Sequence, residues 1–233
     1  MQASLPNDAR CADVVLLVGP SGCGKTYLAT SAGLPILALD DFYLPDTHPD
    51  MPRTADGHVD WEDPASWDAM AAVAALERLC CDDHVDVPDY SFHENRAVGT
   101  KRVARDGARV VVAEGIFAAE LIAPLRAEGL LADALLLRQN RWLTFARRLL
   151  RDLRENRKSP WYLVRQGWAK TRSEPQVVSH QLAQGARPVT KPAARTRLSQ
   201  LANRPPIQSS STAAAPSAAA IEDRSSAEVH AAP

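Results

Sequence analysis

Short, wholly apolar runs recur along the first part of this chain, separated by segments with helical spacing. Residues 14–18, 36–39, 110–113 and 134–137 are built from Val, Leu, Ile and Ala, at lengths that suit strands and fall short of a helix. Strands apolar on both faces belong to a parallel sheet with helices packed on either side. Between the first two runs, residues 27–32 suit a helix. Residues 65–79 place Met70, Val73, Ala74 and Leu76 at helical spacing. Asp63 followed by Pro64 predicts the start of that helix, because Asp is a favoured N-cap and Pro in the first helical position forfeits no hydrogen bond. Residues 85–109 read differently, as short β-prone pieces around Gly99 and Gly107, and predict a hairpin-like insertion. The pattern as a whole predicts an α/β domain.

Composition changes this picture mainly at the C-terminus. From residue 204 onward Ala, Ser and Pro dominate, and Pro216 interrupts the alanine-rich stretch 213–220. Such a segment buries too little apolar surface to offset its ordering entropy, so 204–233 is expected to be a disordered tail. One domain is expected over 1–203, with its core at about 13–185. Lys and Arg number 27 against 28 Asp and Glu, and this balance argues for neither nucleic acid nor an anionic membrane as partner. Cys11, Cys23, Cys80 and Cys81 show neither a zinc spacing nor a disulfide framework, which suits a reducing, cytoplasmic setting. No apolar stretch approaches the ~20 residues of a membrane span, and the start of the chain lacks a signal peptide's apolar segment.

The first apolar run is followed by Gly19-Pro20-Ser21-Gly22-Cys23-Gly24-Lys25-Thr26. A strand, a glycine-rich turn and a helix start in this order direct backbone N–H groups at one point, which suits polyphosphate. Gly19 and Gly24 permit backbone geometry that a side chain would forbid, Lys25 can reach the outer phosphates, and the Thr26 hydroxyl can meet Mg²⁺. The second run ends in Asp40 and Asp41. Ligands of open α/β sheets bind beyond the carboxyl ends of the strands, so Asp40 is expected near the γ-phosphate, orienting an acceptor hydroxyl. Either acid could instead cap the following loop, and for Asp41 that is the preferred reading. Glu114 ends another apolar strand at a position that suits Mg²⁺ or the acceptor. Arg147, Arg151, Arg154 and Lys158 share one face of an amphipathic helix, which is either a solvated edge or a lid that neutralises phosphate charge.

In the order and spacing of its motifs the chain resembles the uridine kinase family of P-loop small-molecule kinases. The matching stretches are GPSGCGKT at 19–26, DDFY at 40–43, WEDPASWD at 61–68, PDYSF at 88–92, VVAEGIF at 111–117 and RRLLRD at 147–152, within a span of roughly 13–158. The resemblance implies a P-loop NTPase fold with a parallel sheet flanked by helices, a small β-hairpin insertion and a helical lid. It also implies MgATP as donor and transfer to a primary hydroxyl such as the 5′-OH of uridine or cytidine. Gly19, Ser21, Gly22, Cys23, Gly24, Lys25 and Thr26 would then hold the nucleotide. Asp40 would be the catalytic carboxylate, Glu62 would bind the ribose, and Tyr90, His93 and Arg96 would lie by the acceptor base. Glu114 would be the acid of the metal and acceptor region, and Arg148 and Arg151 the lid arginines.

Two departures bear on the acceptor: Glu62 stands where the family has Asp, and the run from Tyr90 to Arg96 is one residue short, which puts His93 out of register. A related kinase for pantothenate, a sugar or a sugar phosphate is therefore an alternative. A nucleotide-binding regulatory protein without small-molecule transfer is another. A GTPase switch is disfavoured, because the sequence contains no Asn-Lys-x-Asp motif. Oligomeric state, homo-oligomer or monomer, is left open.

Overall fold

The computed structural model describes residues 12–20, 22–137 and 176–203. Five parallel strands form the main sheet: β1 (Asp13–Val18), β2 (Ile36–Ala38), β5 (Val110–Glu114), β6 (Leu131–Leu137) and β7 (Arg187–Val189), in the order β2-β5-β1-β6-β7. The pleat divides each central strand between two cores. Val14, Leu16 and Val18 of β1 face one side with Val111, Ala113, Ala134 and Leu136. Val15 and Leu17 face the other with Val110, Val112, Leu135 and Leu137. This is why the strands read as unbroken apolar runs: both faces are covered. Helices α2 (Ala69–Cys81) and α3 (Ile122–Ala127) cover the first face. Helix α1 (Lys25–Ser31) and the helix Lys191–Ala202 cover the second through Leu28, Ala29, Ala194, Leu198 and Leu201. Among the described residues no helix is long and apolar enough to cross a membrane.

The insertion is an antiparallel pair, β3 (His84–Ser91) and β4 (Arg96–Ala104), which forms a sheet of its own. Its tip is tied to the chain beyond β2, where the Asn95 side-chain amide donates to Asp46 Oδ2 at 3.1 Å and the Asp46 N–H donates to the Asn95 carbonyl at 3.1 Å.

The start of α2 corrects the sequence-based expectation. Asp63 does accept from the Ala65 N–H at 2.8 Å, but it caps only a 3₁₀ turn, Pro64–Ser66. Trp67 then turns extended, and its indole N–H donates to the Leu39 carbonyl at 2.7 Å. The helix begins afterwards, with the Asp68 carboxylate accepting from the Ala71 N–H at 2.9 Å. A buried tertiary hydrogen bond from Trp67 outranks the local capping signal at Asp63. The later start leaves Met70 72% exposed, and the buried face runs through Ala72, Val73, Ala75, Leu76, Leu79 and Cys80 instead.

Candidate active site

Strand register assembles the site. In β5, Glu114 pairs with Leu17 of β1 on one side and with Ala38 of β2 on the other. Its carboxylate therefore emerges between the loop that follows β1 and the 3₁₀ turn Leu39–Phe42 that follows β2. Thr26 Oγ1 donates to Glu114 Oε1 at 2.5 Å, which joins the loop's hydroxyl to this acid. Asp40 lies across Gly115, with its Oδ1 accepting from the Ile116 N–H at 3.4 Å. A Cβ on Gly115 would stand only 2.8 Å from Asp40 Oδ1 and 2.8 Å from the Leu39 Cβ, so the absence of a side chain there lets the two strand ends close together. Burial pushes the Asp40 carboxyl above the ordinary Asp range and the charge of Glu114 pushes it further, while Lys25 opposes both.

The loop itself is tightly wound. Gly19 has φ 137°, and a Cβ on it would meet the Leu137 carbonyl oxygen at 3.2 Å and Cys23 Sγ at 3.3 Å, so both backbone angle and space demand glycine. Gly22 and Gly24 also have positive φ. Cys23 is fully buried, so only its backbone faces a ligand. Burial raises its thiol pKa, against the positive charges of Lys25 and Lys191. Lys25 is buried too, and its Nζ donates to the Gly19 carbonyl at 2.9 Å and the Pro20 carbonyl at 3.4 Å. Ser21, Arg148 and Arg151, with the helical lid and the tail, lie outside the described residues.

Close to Asp40 lies Tyr43, the centre of an aromatic cluster. Its ring packs against Trp61, Tyr90, Phe92 and Phe117 with centroids 5.6 to 6.1 Å apart, mostly edge to face. Its hydroxyl donates to the Trp61 carbonyl at 3.1 Å. Burial raises the phenol pKa strongly, and the neighbouring carboxylates of Asp40 and Glu62 raise it further. The charges of Asp40 and Glu62 thus both act on this hydroxyl. Tyr90 is buried and donates to the Leu44 carbonyl at 3.3 Å; burial and then Asp46 push its pKa up to about 12. His93 sits exposed in the turn between β3 and β4, and Arg96, exposed at the start of β4, forms an ion pair with Glu94.

Asp41 is buried and pairs with Lys101 of β4 at 2.7 Å, and Lys101 also reaches Asp89 at 3.5 Å. The second acid of the pair therefore fastens the hairpin to the turn that carries Asp40. The sequence signal for Tyr43 and Phe117 is their place two and three residues beyond the strand-end acids Asp41 and Glu114, in the same motifs. Nothing local marked Lys101, or Lys191, whose Nζ lies 2.7 Å from where a Gly24 Cβ would stand. Among the described residues no cluster of three or more His, Cys, Asp or Glu side chains could hold a metal on its own.

No family model matches the chain. It is 31% identical to the uridine kinase of Saccharomyces cerevisiae over 112 residues, which is 45% of this chain and 22% of that protein. It is 29% identical to the uridine kinase of Deinococcus deserti over 164 residues, covering 66% of this chain and 74% of that protein. Among solved structures, a protein proposed as a fructose transport system kinase from Silicibacter sp. TM1040 superposes with a TM-score of 0.54, at 19% identity over 72% of this chain and 85% of that one. YFH7 from Saccharomyces cerevisiae, proposed as a P-loop kinase with a circular permutation, superposes with a TM-score of 0.52, at 12% identity over 78% of this chain and 92% of that one. These two likenesses speak for the fold, a P-loop kinase fold.

Proposed function

We propose that this chain, similar to two uridine kinases and built on a P-loop kinase fold, transfers the γ-phosphoryl group of ATP to a hydroxyl of a small molecule, with a nucleoside 5′-hydroxyl as the favoured acceptor. The observation that carries this reading is the meeting of Lys25, Thr26, Glu114 and Asp40 at the carboxyl end of the sheet, with Thr26 bonded to Glu114 and Asp40 held across Gly115. The loop amides and Lys25 hold the phosphates of the donor. Asp40 accepts the acceptor's hydroxyl hydrogen bond and points its oxygen at the phosphorus; a loose transition state asks for orientation more than early proton removal. Glu62, whose charge also acts on Tyr43, offers a carboxylate to a vicinal diol, and the rings of Tyr43, Tyr90 and Phe92 offer an apolar wall. Thr26 and Glu114 set two hard oxygen donors side by side, which fits Mg²⁺. When bound, the ion neutralises charge on the phosphates. Arg148 and Arg151 are assigned the transferring phosphoryl group on resemblance alone.

A second acceptor class, a sugar or another hydroxyl metabolite, is favoured by the hairpin tip, where His93 is exposed and Arg96 is engaged with Glu94. ADP release with MgATP across uridine, cytidine, other nucleosides, pantothenate and sugars separates the two. Acceptor-dependent ADP release is expected, and ATP binding without turnover on any acceptor would instead indicate a regulatory protein. Asp40→Asn is expected to slow turnover at least ~100-fold while ATP affinity stays within a few-fold. Near-normal turnover in that variant removes Asp40 from the mechanism.

A further inference from the structure

Three hydrogen bonds clamp the segment before α2 onto the turn that carries Asp40 and the residues just beyond it. The Leu44 N–H donates to the Ser66 carbonyl at 2.9 Å and the Asp68 N–H to the Phe42 carbonyl at 2.9 Å, which sets Tyr43 and Trp67 opposite each other in an antiparallel bridge. Both bonds are backbone to backbone, so another residue with extended angles at position 67 would keep them. The third bond depends on the side chain. The Trp67 indole N–H crosses to the Leu39 carbonyl at 2.7 Å, in a buried setting. Phenylalanine would fill much of the same space but has no donor to offer. The indole is itself held in place, 5% exposed and packed on Phe117 with ring centroids 5.6 Å apart.

The Leu39 carbonyl and the Asp40 N–H belong to one planar peptide unit, so a bond that fixes the carbonyl also fixes the direction in which the chain enters Asp40. The two backbone bonds act farther on, at Phe42 and Leu44. The bond that the Asp40 carboxylate accepts from the Ile116 N–H is 3.4 Å long, beyond the usual range, and is a weaker restraint than the indole bond. Backbone placement therefore decides where the carboxylate stands. That placement is tight, because Leu39 and Asp40 together fill the space beside Gly115 at the end of β5. We propose that Trp67 is a positioning residue for phosphoryl transfer, acting through its indole N–H on the peptide unit between Leu39 and Asp40 to hold the Asp40 carboxylate where it meets the acceptor hydroxyl. The inference rests on the phosphotransfer reading of the site and on the part Asp40 plays in it.

The test is a double-mutant cycle on the full chain, with Trp67→Phe made in the wild-type and in the Asp40→Asn background and acceptor-dependent ADP release measured well below the melting temperature. In the wild-type background kcat is expected to fall ~10-fold or more, with ATP affinity by calorimetry within ~2-fold, as displacement of an orienting group by a fraction of an ångström implies. In the Asp40→Asn background the same change should cost less than ~2-fold, because the group that Trp67 positions is already disabled. Benzothienylalanine at position 67, which keeps the bicyclic shape and carries sulfur in place of the N–H, should reproduce the loss, and it serves as the test if the Phe variant does not fold. A donor-less variant with kcat within 2-fold of wild type overturns the inference and leaves the kinase reading standing. An equal fall in both backgrounds marks Trp67 as a general prop of the fold and overturns it. A rise in acceptor KM with kcat unchanged overturns it as well, because the residue would then shape the pocket and not the transfer. Near-normal turnover in Asp40→Asn alone removes what Trp67 is said to position. A wild-type protein without acceptor-dependent ADP release removes the phosphotransfer reading, and the inference falls with it.

Discussion

Replacing Gly115 with alanine probes the closest approach in the site. The new Cβ would stand 2.8 Å from Asp40 Oδ1 and 2.8 Å from the Leu39 Cβ. Carbon atoms rest at about 3.5 to 4.0 Å, so the contact with Leu39 is short by roughly 1 Å. The Leu39 Cβ is fixed to the backbone, and the Leu39 carbonyl is held by the Trp67 indole at 2.7 Å. The turn therefore resists displacement, and the carboxylate of Asp40 is the easier group to move. Overpacking of this kind costs about 1–3 kcal/mol, equivalent to a melting temperature lower by ~2–12 °C in a domain of this size. A shift of the acceptor-orienting group approaching 1 Å costs up to ~100-fold in rate. The ATP contacts assigned to the loop do not involve Asp40, so ATP affinity should stay within ~2-fold. Thermal melting, calorimetric ATP binding and steady-state ADP release on the best acceptor measure all three. A variant with normal kcat and a melting temperature several degrees lower would refute the claim that Asp40 acts from its observed position.

Lys101→Met removes the partner of the buried Asp41 and should destabilise the protein by about 1–3 kcal/mol at neutral pH, raising the acceptor KM while the ATP KM holds. Burial already raises the Asp41 pKa, with Lys101 opposing it, so without Lys101 the carboxyl protonates more readily. The stability difference from wild type should therefore shrink as pH falls, and a difference that grows toward acid pH contradicts this account. Asp133→Asn acts in the opposite sense. Burial alone would raise this carboxyl's pKa, but Arg187 and Arg197, donating to Oδ2 at 2.8 and 2.7 Å, bring it below the ordinary value. A depressed pKa contributes stability that is present above the unfolded value near ~4 and lost as pH falls through the folded one. The variant should melt several degrees lower at pH 7 and converge on wild type in strong acid, which a pH series of melting curves checks.

The parts of this protein most legible in its sequence are those that local chemistry determines. β1, β5 and β6 were readable because strands covered on both faces cannot avoid long apolar runs, and the phosphate loop because Gly19 and Gly24 have no substitutes in their backbone geometry. That Glu114 and Asp40 share the end of the sheet that carries this loop could be read from their positions at strand ends. Elements decided by distant partners were less legible. Asp63-Pro64 is a sound helix start on local grounds, yet Trp67 bonds to Leu39 and delays the helix to Ala69. Arg187-Pro188-Val189 is too short to signal a strand and becomes one only by pairing with β6. The seat of Lys191 at Gly24 depends on the closure of the whole sheet, which no window of sequence contains.

The hairpin shares no strand pairing with the five-stranded sheet. Its ties to the rest of the site run through the Asp41–Lys101 pair, the rings around Tyr43 and the hydrogen bonds between Asn95 and Asp46. On the proposed phosphotransfer reading, the hairpin's share of acceptor recognition is carried on a separate piece of backbone from the donor loop. Residues on the outer part of β3 and β4 can be exchanged without altering the register that sets Glu114 beside Thr26 and Asp40. If the chain transfers phosphate as proposed, a lineage carrying this architecture can change its acceptor while the machinery of transfer is inherited intact, and a protein engineer seeking a new acceptor would begin with the hairpin and leave the sheet alone.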